Sequence, residues 1–506
     1  MGKASNPCSD GFASKRIEDM LMNALWNNFV GDFMSTLMNK IKKFYTDIPL
    51  WVTNIAAPIF YLIPQKTRYG KIFNNQLNLL KNQEYLDKKE MDFQVNTSFI
   101  KLINHAYENV SYYRKVFDEN GIKLEDIRTV NDINKLPFLT KEDLVNYKEE
   151  LIASNVDREK LLYITTSGST GNPVGLYVDP DSTMKEWAYT NYIWSRVGYK
   201  PDSSRLILRG KTFWSQKRKG ENWQYDALRK ELSCNIFDLN ESNLESYCRA
   251  IEKYKPEFIH GYMSATYVLC KYLEKRNVKM EHKFKAVLAV SENIIESQKE
   301  YVEKILGCRV FSFYGHSERL VIAGECEYSS DYHIEPLYGY AEIVDENGNQ
   351  IKDNRMGELV ATGFCNKGMP MIRYRTGDMA SWSNDSECKC GRSHLRLAGV
   401  HGRWKQDVLV NKDGALVSLT ALNMHSDVFD DIIRFQFHQK TPGEVTLKIV
   451  PCRLFEEHDL MRILEQLEEK TQQKINYKIE IVDEIKTKKN GKYAIVVQNL
   501  AIDIYR

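Results

Sequence analysis

The amino-acid sequence predicts an α/β protein with a large layered core and a small α+β domain at its carboxyl end. From about residue 161, short β-branched runs alternate with longer helical stretches, which is typical of a layered α/β core. Beyond residue 403, strand patterns surround one amphipathic helix pattern in a compact α+β arrangement. The length of 506 residues is enough for about three domains.

The elements follow in order along the chain. Apolar residues at three- and four-residue spacing predict helices across residues 93–147. In the core we expect strands over residues 161–164, 174–178, 205–209, 257–260, 285–290, 309–313, 340–343 and 357–362. Beyond it we expect strands over residues 434–437, 445–450 and 477–482 and a helix over residues 456–471. The expected division is an amino-terminal extension with a hydrophobic arm (1–90), a core (91–402) and a small domain (403–506).

Composition narrows the classes of function. Lysine and arginine number 70 against 68 acidic residues, for a net charge of +2, which argues against a protein that coats nucleic acid. A hydrophobic fraction of 43% supports sizeable cores. Ten cysteines are too few for a disulfide scaffold, and residues 1–12 lack a secretion-signal pattern. We therefore expect reduced thiols and a cytoplasmic protein.

The hydrophobic arm is an apolar run over residues 48–63. It has sixteen residues and two prolines, whereas a membrane-spanning helix needs ~20 apolar residues. Basic residues flank it, and Trp51, Phe60 and Tyr61 lie within it, a pattern that favours peripheral contact with the inner face of a membrane. The alternative is an arm that packs on its own core or on a second subunit. The sequence leaves the oligomeric state open.

Residues 165–173 read TTSGSTGNP, which places five hydroxyl groups and two glycines in the first seven positions. Glycines let the backbone bend around a ligand, while hydroxyl and amide groups donate hydrogen bonds to phosphate oxygens. The segment matches neither the P-loop nor the dinucleotide-binding loop. On its own it is also the composition of an ordinary turn.

Five more segments follow residues 165–173 along the chain, and their order supports a specific interpretation of that first segment. With residues 165–173, they resemble the motifs of the adenylate-forming enzymes, in the branch of phenylacetate-coenzyme A ligases and capsular polysaccharide biosynthesis proteins. The segments are SE at 291–292, FYGHSE at 313–318, RYRTGD at 373–378, GR at 402–403 and KNGK at 489–492. The resemblance covers roughly residues 40–497, and it implies a core of adenylate-forming type with a mobile carboxyl-terminal lid.

The resemblance also implies an activity. It is an ATP-dependent, AMP-forming ligase that activates a small-molecule carboxylic acid as an acyl-adenylate and transfers it to a thiol. The implied acceptor is coenzyme A, with a carrier-protein thiol or a sugar amine as alternatives, and the implied setting is the synthesis of a surface polysaccharide. A nucleotide-binding scaffold without turnover, serving a glycan-assembly machinery, is the alternative of a different class.

The resemblance implies the site residues one by one. The ATP phosphates would be held by Thr165, Thr166, Ser167, Gly168, Ser169, Thr170 and Gly171. The adenosine would contact Ser291, Glu292, Tyr314, Gly315, His316, Ser317 and Asp378, with Tyr314 stacking on adenine and Asp378 binding the ribose hydroxyls. The implied catalytic residues are Glu318, which would bind Mg²⁺, Arg403 and Lys492. Taken singly, Asp378 also fits a turn, and Lys492 also fits a solvated hairpin.

A pair of cysteines, Cys388 and Cys390, is close enough in sequence to bind one metal ion. The same family branch carries a similar Cys-x-Cys-Gly-Arg segment. A structural zinc site needs four thiolate or imidazole ligands, and Cys326 and His333 would complete the set. The alternative is reduced thiols that bind no Zn²⁺.

The acid-binding pocket is the least specified part of the sequence. Its expected lining, judged from placement between the matched motifs, is Trp187, Phe213, Trp214, His260, Gly261, Tyr262 and Met263. Each of these also fits a plain core position.

Overall fold

The computed structural model describes most of the chain. The described residues are 50–165, 174–209, 222–237, 239–292, 294, 296–384, 387–401, 408–418, 422, 432–451, 454–485 and 496–500.

The first part of the described chain is helical, and it includes the helices predicted across residues 93–147. Side chains cap several of these helices: Asp87 accepts a hydrogen bond from the backbone of Glu90, and Thr140 and Asp143 form a reciprocal capping box. The helices are α1 (Leu50–Leu62), α2 (Gln65–Gln83), α3 (Lys88–Asn109), α4 (Ser111–Glu119) and α5 (Lys141–Asn146), with 3₁₀ turns at Leu124–Asp126, Val130–Lys135 and Arg158–Lys160.

The hydrophobic arm forms α1 and packs on the protein's own core. Tyr61 donates a hydrogen bond to the carbonyl of Leu228 at 2.8 Å, and Asn54 accepts one from the backbone of Ala227 at 3.2 Å. The Lys230 ammonium lies 4.2 Å from the centre of the Tyr61 ring. The structure thus shows the alternative to membrane contact, which is an arm that packs on the protein's own core. Of the helices in the described ranges, none has the length and apolar character that crossing a membrane requires.

The described residues contain a twelve-stranded sheet, in the order β11-β12-β13-β14-β10-β9-β8-β7-β6-β3-β5-β4. A separate hairpin precedes it, made of β1 (Leu162–Thr165) and β2 (Gly175–Val178). The strands of the large sheet are β3 (Arg205–Leu208), β4 (Trp223–Asp226), β5 (Glu231–Cys234), β6 (Phe258–Gly261), β7 (Ala286–Ala289), β8 (Arg309–Gly315), β9 (Ile322–Gly324), β10 (Tyr332–Ile334), β11 (Gly339–Val344), β12 (Gly357–Gly363), β13 (Tyr374–Trp382) and β14 (Arg396–His401).

One half of this sheet is parallel. Strands β8, β7, β6, β3 and β5 run in the same direction, and every residue of β3, β5, β6 and β7 is buried. Burial on both faces is what crossover helices produce. The crossover helices are α7 (Glu241–Tyr254), α8 (Met263–Lys275) and α9 (Glu296–Leu306), and a further helix, α6 (Pro180–Ser195), precedes β3.

The carboxyl-terminal region has its own small sheet, in the order β19-β18-β17-β20, beside a β15-β16 hairpin. Gln439 joins the two, since it exchanges hydrogen bonds with the backbone of Val410 at 2.7 and 2.6 Å. The elements are β15 (Val408–Val410), β16 (Leu416–Ser418), β17 (Ile432–Thr441), β18 (Glu444–Pro451), α10 (Glu457–Lys470), β19 (Asn476–Ile481) and β20 (Val496–Gln498). The α/β core with a small α+β domain is therefore confirmed.

Candidate active site

The carboxyl ends of the parallel strands carry the predicted nucleotide segments. In α/β sheets, ligands bind in the crevice beyond this edge. Residues 291–292 follow the end of β7, and residues 316–318 follow the end of β8. β7 and β8 are paired neighbours with Ala289 opposite Ser312, so the two segments follow adjacent strands at the same edge of the sheet.

The Ser291–Glu292 segment is anchored to the start of α8. Ser291 has a φ of 61°, so the chain turns sharply after β7. The Glu292 carboxylate accepts hydrogen bonds from the backbone and the hydroxyl of Ser264, both at 2.9 Å. A carboxylate is stabilised at a helix amino terminus, so these contacts make Glu292 a residue that positions the loop.

Tyr314 and Asp378 meet although they are 64 positions apart. The Tyr314 hydroxyl donates a hydrogen bond to Asp378 Oδ2 at 2.8 Å. Burial and then the charge of Asp378 raise the pKa of Tyr314 well above its ordinary value, so the phenol keeps its proton. The structure thus brings the predicted adenine-stacking ring and the predicted ribose ligand into one contact.

A bulge in β13 places Asp378. Glu358 on β12 pairs with Met379 and Val360 pairs with Arg375, so the residues between them on β13 leave the ladder. Gly377 has a φ of 73°, which favours glycine, and its N–H donates to Glu358 Oε1 at 3.0 Å. The glycine of the motif is therefore required by the backbone that presents Asp378.

The first arginine of the same motif has a structural role that the sequence analysis missed. Arg373 is buried and forms a bidentate pair with Glu342 on β11, at 2.8 and 3.0 Å. It also donates to the carbonyl of Leu136 at 2.6 Å and lies over the Phe138 ring at 4.1 Å. Arg373 thus connects the helical region to the sheet behind Asp378.

Arg319 stabilises the turn after β8, and the sequence did not predict this role either. Arg319 is 2% exposed with a φ of 59°. It forms an ion pair with Glu186 on α6 at 2.8 Å and donates to the Thr183 hydroxyl at 2.6 Å.

Burial lowers the pKa of His316 to about 4 against the opposing charge of Asp378, so the ring is neutral at pH 7.

Glu318 lies half-buried on this turn and is one of the charges that raise the pKa of Tyr314. Mg²⁺ takes one or two carboxylates and completes its coordination with nucleotide phosphates and water. A carboxylate at the sheet edge, beside the Tyr314–Asp378 pair, fits that requirement.

The remaining predicted ATP ligands are only partly within the described ranges. Thr165 is the last residue of β1 and pairs with Gly175, so β1 and β2 lead into and out of the predicted phosphate loop. Thr166, Ser167, Gly168, Ser169, Thr170 and Gly171 lie outside the described residues, as do Arg403 and Lys492.

The four predicted zinc ligands converge. Their ligand atoms all lie within 4.8 Å of one another. Cys326 Sγ is 3.6 Å from Cys388 Sγ, and Cys390 Sγ is 3.9 Å from His333 Nε2. Because Zn–S and Zn–N bonds are about 2.3 and 2.0 Å long, a tetrahedral ion needs ligand separations of this order. The donor set therefore fits zinc.

The surroundings of the cluster favour a neutral imidazole. Burial lowers the pKa of His333 to about 3, and the charges of Arg196 and Arg396 act in the same direction. Arg392, two residues after Cys390, pairs with Glu84 and with Glu327. These ion pairs of Arg392 thus join the loop after β13 to the loop after β9 and to the carboxyl end of α2.

The expected acid-pocket residues have different positions. His260 is near the end of β6, and its Nε2 lies 3.3 Å from Arg209 NH1. Trp187 packs in the core, where Arg205 lies 5.6 Å from its ring. Gly261, Tyr262 and Met263 continue from β6 into α8, and Phe213 and Trp214 lie outside the described residues.

Comparison with known proteins places the chain in a family. The family model for the AMP-binding enzyme matches residues 84–367, and the model for the CapK C-terminal domain matches residues 409–499. The chain is 23% identical over 461 residues to protein CapK of Staphylococcus aureus, an alignment that covers 90% of this chain and 99% of that protein. It is 27% identical over 318 residues to phenylacetate-coenzyme A ligase of Thermus thermophilus, covering 61% and 69%.

Solved structures show the same fold. A 2-hydroxyisobutyryl-CoA ligase, in complex with 2-HIB-AMP and CoA in the thioesterification state, is similar with a TM-score of 0.54 at 18% identity. The match covers 83% of this chain and 92% of that one. The chain belongs to the AMP-binding enzyme family and is an adenylate-forming ligase of the branch that contains phenylacetate-coenzyme A ligase and CapK.

Proposed function

We propose that this ligase activates a small carboxylic acid with ATP and transfers the acyl group to the thiol of coenzyme A. The observation that carries the proposal is the contact between Tyr314 and Asp378 beside Glu318, at the carboxyl edge of the parallel strands. A Mg²⁺-nucleotide needs an aromatic ring for its adenine, a carboxylate for its ribose hydroxyls and a carboxylate for the metal ion.

The proposed chemistry has two steps. A carboxylate oxygen of the acid attacks the α-phosphorus of ATP and pyrophosphate leaves, which forms the acyl-adenylate. The thiol then attacks the acyl carbon, loses its proton and displaces AMP. Both steps gain most of their rate from positioning and from charge stabilisation of the phosphates. Mg²⁺, when bound by Glu318, supplies part of that charge.

The other predicted ligands complete this proposal. The hydroxyl and amide groups of residues 165–171 would bind the β- and γ-phosphates, which their hydrogen-bond donors suit. Lys492 would lie between the acid carboxylate and the α-phosphate during adenylation, and Arg403 would contact the ribose or phosphate. We propose that residues 91–402 form the core and that residues 403–506 form a lid that moves between the two steps.

We also propose that Cys326, His333, Cys388 and Cys390 bind one structural Zn²⁺. The convergence of three thiols and a neutral imidazole supports it. A closed set of four protein ligands leaves no position for substrate, so the role of the ion is to stabilise the loops.

The wider setting rests on the relatives. Phenylacetate-coenzyme A ligase supports a coenzyme A acceptor, and CapK supports a role in capsular polysaccharide biosynthesis. We propose a cytoplasmic protein in that setting, with peripheral membrane contact through residues 48–63 as a further feature that the exposed Ile55 and Leu62 support.

ATP–pyrophosphate exchange against a panel of carboxylic acids tests the proposal. We expect exchange with at least one acid, because the first step is reversible and does not need the thiol. ATP binding without exchange for any acid would instead support a nucleotide-binding scaffold.

A further inference from the structure

Arg209 differs from the buried arginines of the described residues. Each of these seven pairs with a carboxylate: Arg68 with Asp202, Arg196 with Glu335, Arg205 with Glu231, Arg319 with Glu186, Arg373 with Glu342, Arg392 with Glu84 and Glu327, and Arg396 with Asp331. Arg209 is half-buried, and within the described part of the chain its contact is with a histidine and not with a carboxylate. A half-buried guanidinium that faces no carboxylate can bind an anionic ligand through its N–H groups.

The place of Arg209 in the fold links it to the candidate site. It follows the last residue of β3, and Leu208 pairs with Gly261 at the end of β6. The nucleotide segments follow β7 and β8, the next two strands along the same edge. Three strand spacings, about 14 Å, separate β3 from β8. Arg209 is therefore at the far end of the crevice from Tyr314, where the distal part of a bound acid would lie.

His260 positions the guanidinium. An arginine N–H can only donate, so His260 Nε2 accepts the hydrogen bond at 3.3 Å. The ring is 4% exposed and packs edge-on against Trp194 at 4.9 Å between centroids. A buried imidazole held by an aromatic ring thus orients Arg209 without neutralising its charge.

We propose that Arg209 binds a second carboxylate on the acid that this enzyme activates, so that the substrate is a dicarboxylic acid. The inference rests on the proposed function. A guanidinium binds a carboxylate through two parallel hydrogen bonds, which gives both charge and direction. The substrate is then held at both ends: one carboxylate at the nucleotide and the other at Arg209.

The test is ATP–pyrophosphate exchange by the full-length protein, without coenzyme A, using dicarboxylic acids and their monomethyl esters. The pairs are succinate, glutarate, adipate and terephthalate, each with its monoester, which keeps one carboxylate and a similar shape. We expect the wild type to prefer the diacid of its best pair by about 100-fold in kcat/KM, because a site built for a polar group rejects an analogue that lacks it.

The variants assign the preference to this residue. Arg209→Gln should remove most of the diacid preference, and Arg209→Lys should keep part of it. His260→Gln should reduce it by a smaller factor. The control Arg249→Gln, an exposed arginine on α7 that pairs with Glu245, should leave the preference intact. If Arg209→Gln does not fold, the preference of the wild type for a diacid over its monoester decides the substrate class.

Several results would overturn the inference. Exchange with monoesters but with none of the diacids would reject it while leaving the proposed function intact. An equal loss for both members of a pair in Arg209→Gln would make Arg209 a structural residue. A variant with unchanged exchange but a raised KM for coenzyme A would assign Arg209 to the phosphates of the acceptor. Absence of exchange with every acid would remove the proposed function and this inference with it.

Discussion

At the residue scale, the Tyr314–Asp378 contact explains why two distant motifs belong to one site. The Asp378 carboxylate accepts the Tyr314 hydrogen bond at 2.8 Å, and the backbone of Asp378 is held by the Thr376 hydroxyl at 3.1 Å. A carboxylate held in this way is oriented before the nucleotide arrives, so its hydrogen bonds to a diol need little reorganisation.

The Asp378→Asn variant tests the role of this carboxylate. The amide keeps an acceptor for Tyr314 but loses its charge, and hydrogen bonds to charged groups contribute roughly 1.5–3 kcal/mol. We expect kcat/KM for ATP to fall by about 10- to 100-fold in pyrophosphate exchange. Tyr314→Phe, which keeps the ring, is the matched control and should lose much less. Equal effects of the two variants would contradict a ribose-binding role for Asp378.

Lys492→Ala separates the two steps of the reaction. If Lys492 stabilises charge only while pyrophosphate leaves, the variant should lose adenylation by 100-fold or more and keep thioester formation from supplied acyl-adenylate. Both half-reactions can be measured on the same protein. Full ATP–pyrophosphate exchange by this variant would reject the assignment.

At the element scale, the cysteine cluster brings together two loops and one short strand. Cys326 follows β9, His333 lies on β10, and Cys388 and Cys390 lie between β13 and β14. Short antiparallel strands such as β9 and β10 form few backbone hydrogen bonds with their neighbouring strands. A metal ion at this position would therefore contribute directly to the stability of that half of the sheet.

Elemental analysis tests the metal. We expect about one zinc per chain, lost in Cys388→Ser and kept in the control Cys308→Ser, whose half-buried thiol lies outside the cluster. Removal of zinc by a chelator should lower the unfolding temperature, because the ion binds only the folded state. A zinc-free protein whose unfolding temperature ignores the chelator would show that the four groups are unligated.

The end of α10 predicts a pH dependence of stability. Lys470 is buried, and burial lowers its pKa from 10.5 to about 8, partly opposed by Glu469. Between pH 8 and 10.5 the unfolded chain binds the proton and the folded chain does not, so this residue makes stability rise with pH in that window. Below pH 8 both states are protonated, and the full cost of the buried charge remains.

Comparison with Lys470→Met isolates this contribution, because other groups titrate equally in both proteins. The free energy of unfolding of the wild type, relative to the variant, should rise by about 3 kcal/mol between pH 7 and pH 10.5. Denaturant unfolding at several pH values measures the difference. If the difference in the free energy of unfolding between the two proteins does not change with pH, burial does not lower the pKa of Lys470.

At the scale of the whole molecule, the sequence predicted what is encoded in short, local patterns. The buried parallel strand β7 is a continuous apolar run between two helices, and α10 has a clear amphipathic period. The cysteine–histidine cluster was predicted from the close pair of Cys388 and Cys390 and from a similar segment in the family branch, with Cys326 and His333 to complete four ligands. The segments around Tyr314 and Asp378 were found through their resemblance to a family.

Contacts between distant residues were not predictable in this way. In the large sheet, the strands β4, β5, β9, β10, β13 and β14 were missed because they are short or rich in polar residues, and their partners rather than their composition bury them. The short strands β15, β16 and β20 of the carboxyl-terminal region were also missed. The pairs of Arg319 with Glu186 and of Arg373 with Glu342 join separate elements. Arg209 stands out only once every other core arginine has a carboxylate beside it.

The central claim is that the acid is activated as an adenylate, and oxygen transfer tests it most directly. The acid is labelled with ¹⁸O in its carboxylate, turned over with ATP and coenzyme A, and the products are analysed by mass spectrometry. Attack of the carboxylate on the α-phosphorus leaves one carboxylate oxygen on AMP when the thiol displaces it. We predict AMP that carries one ¹⁸O, with unlabelled pyrophosphate. Label in inorganic phosphate together with ADP would contradict the account, because it would show attack on the γ-phosphorus.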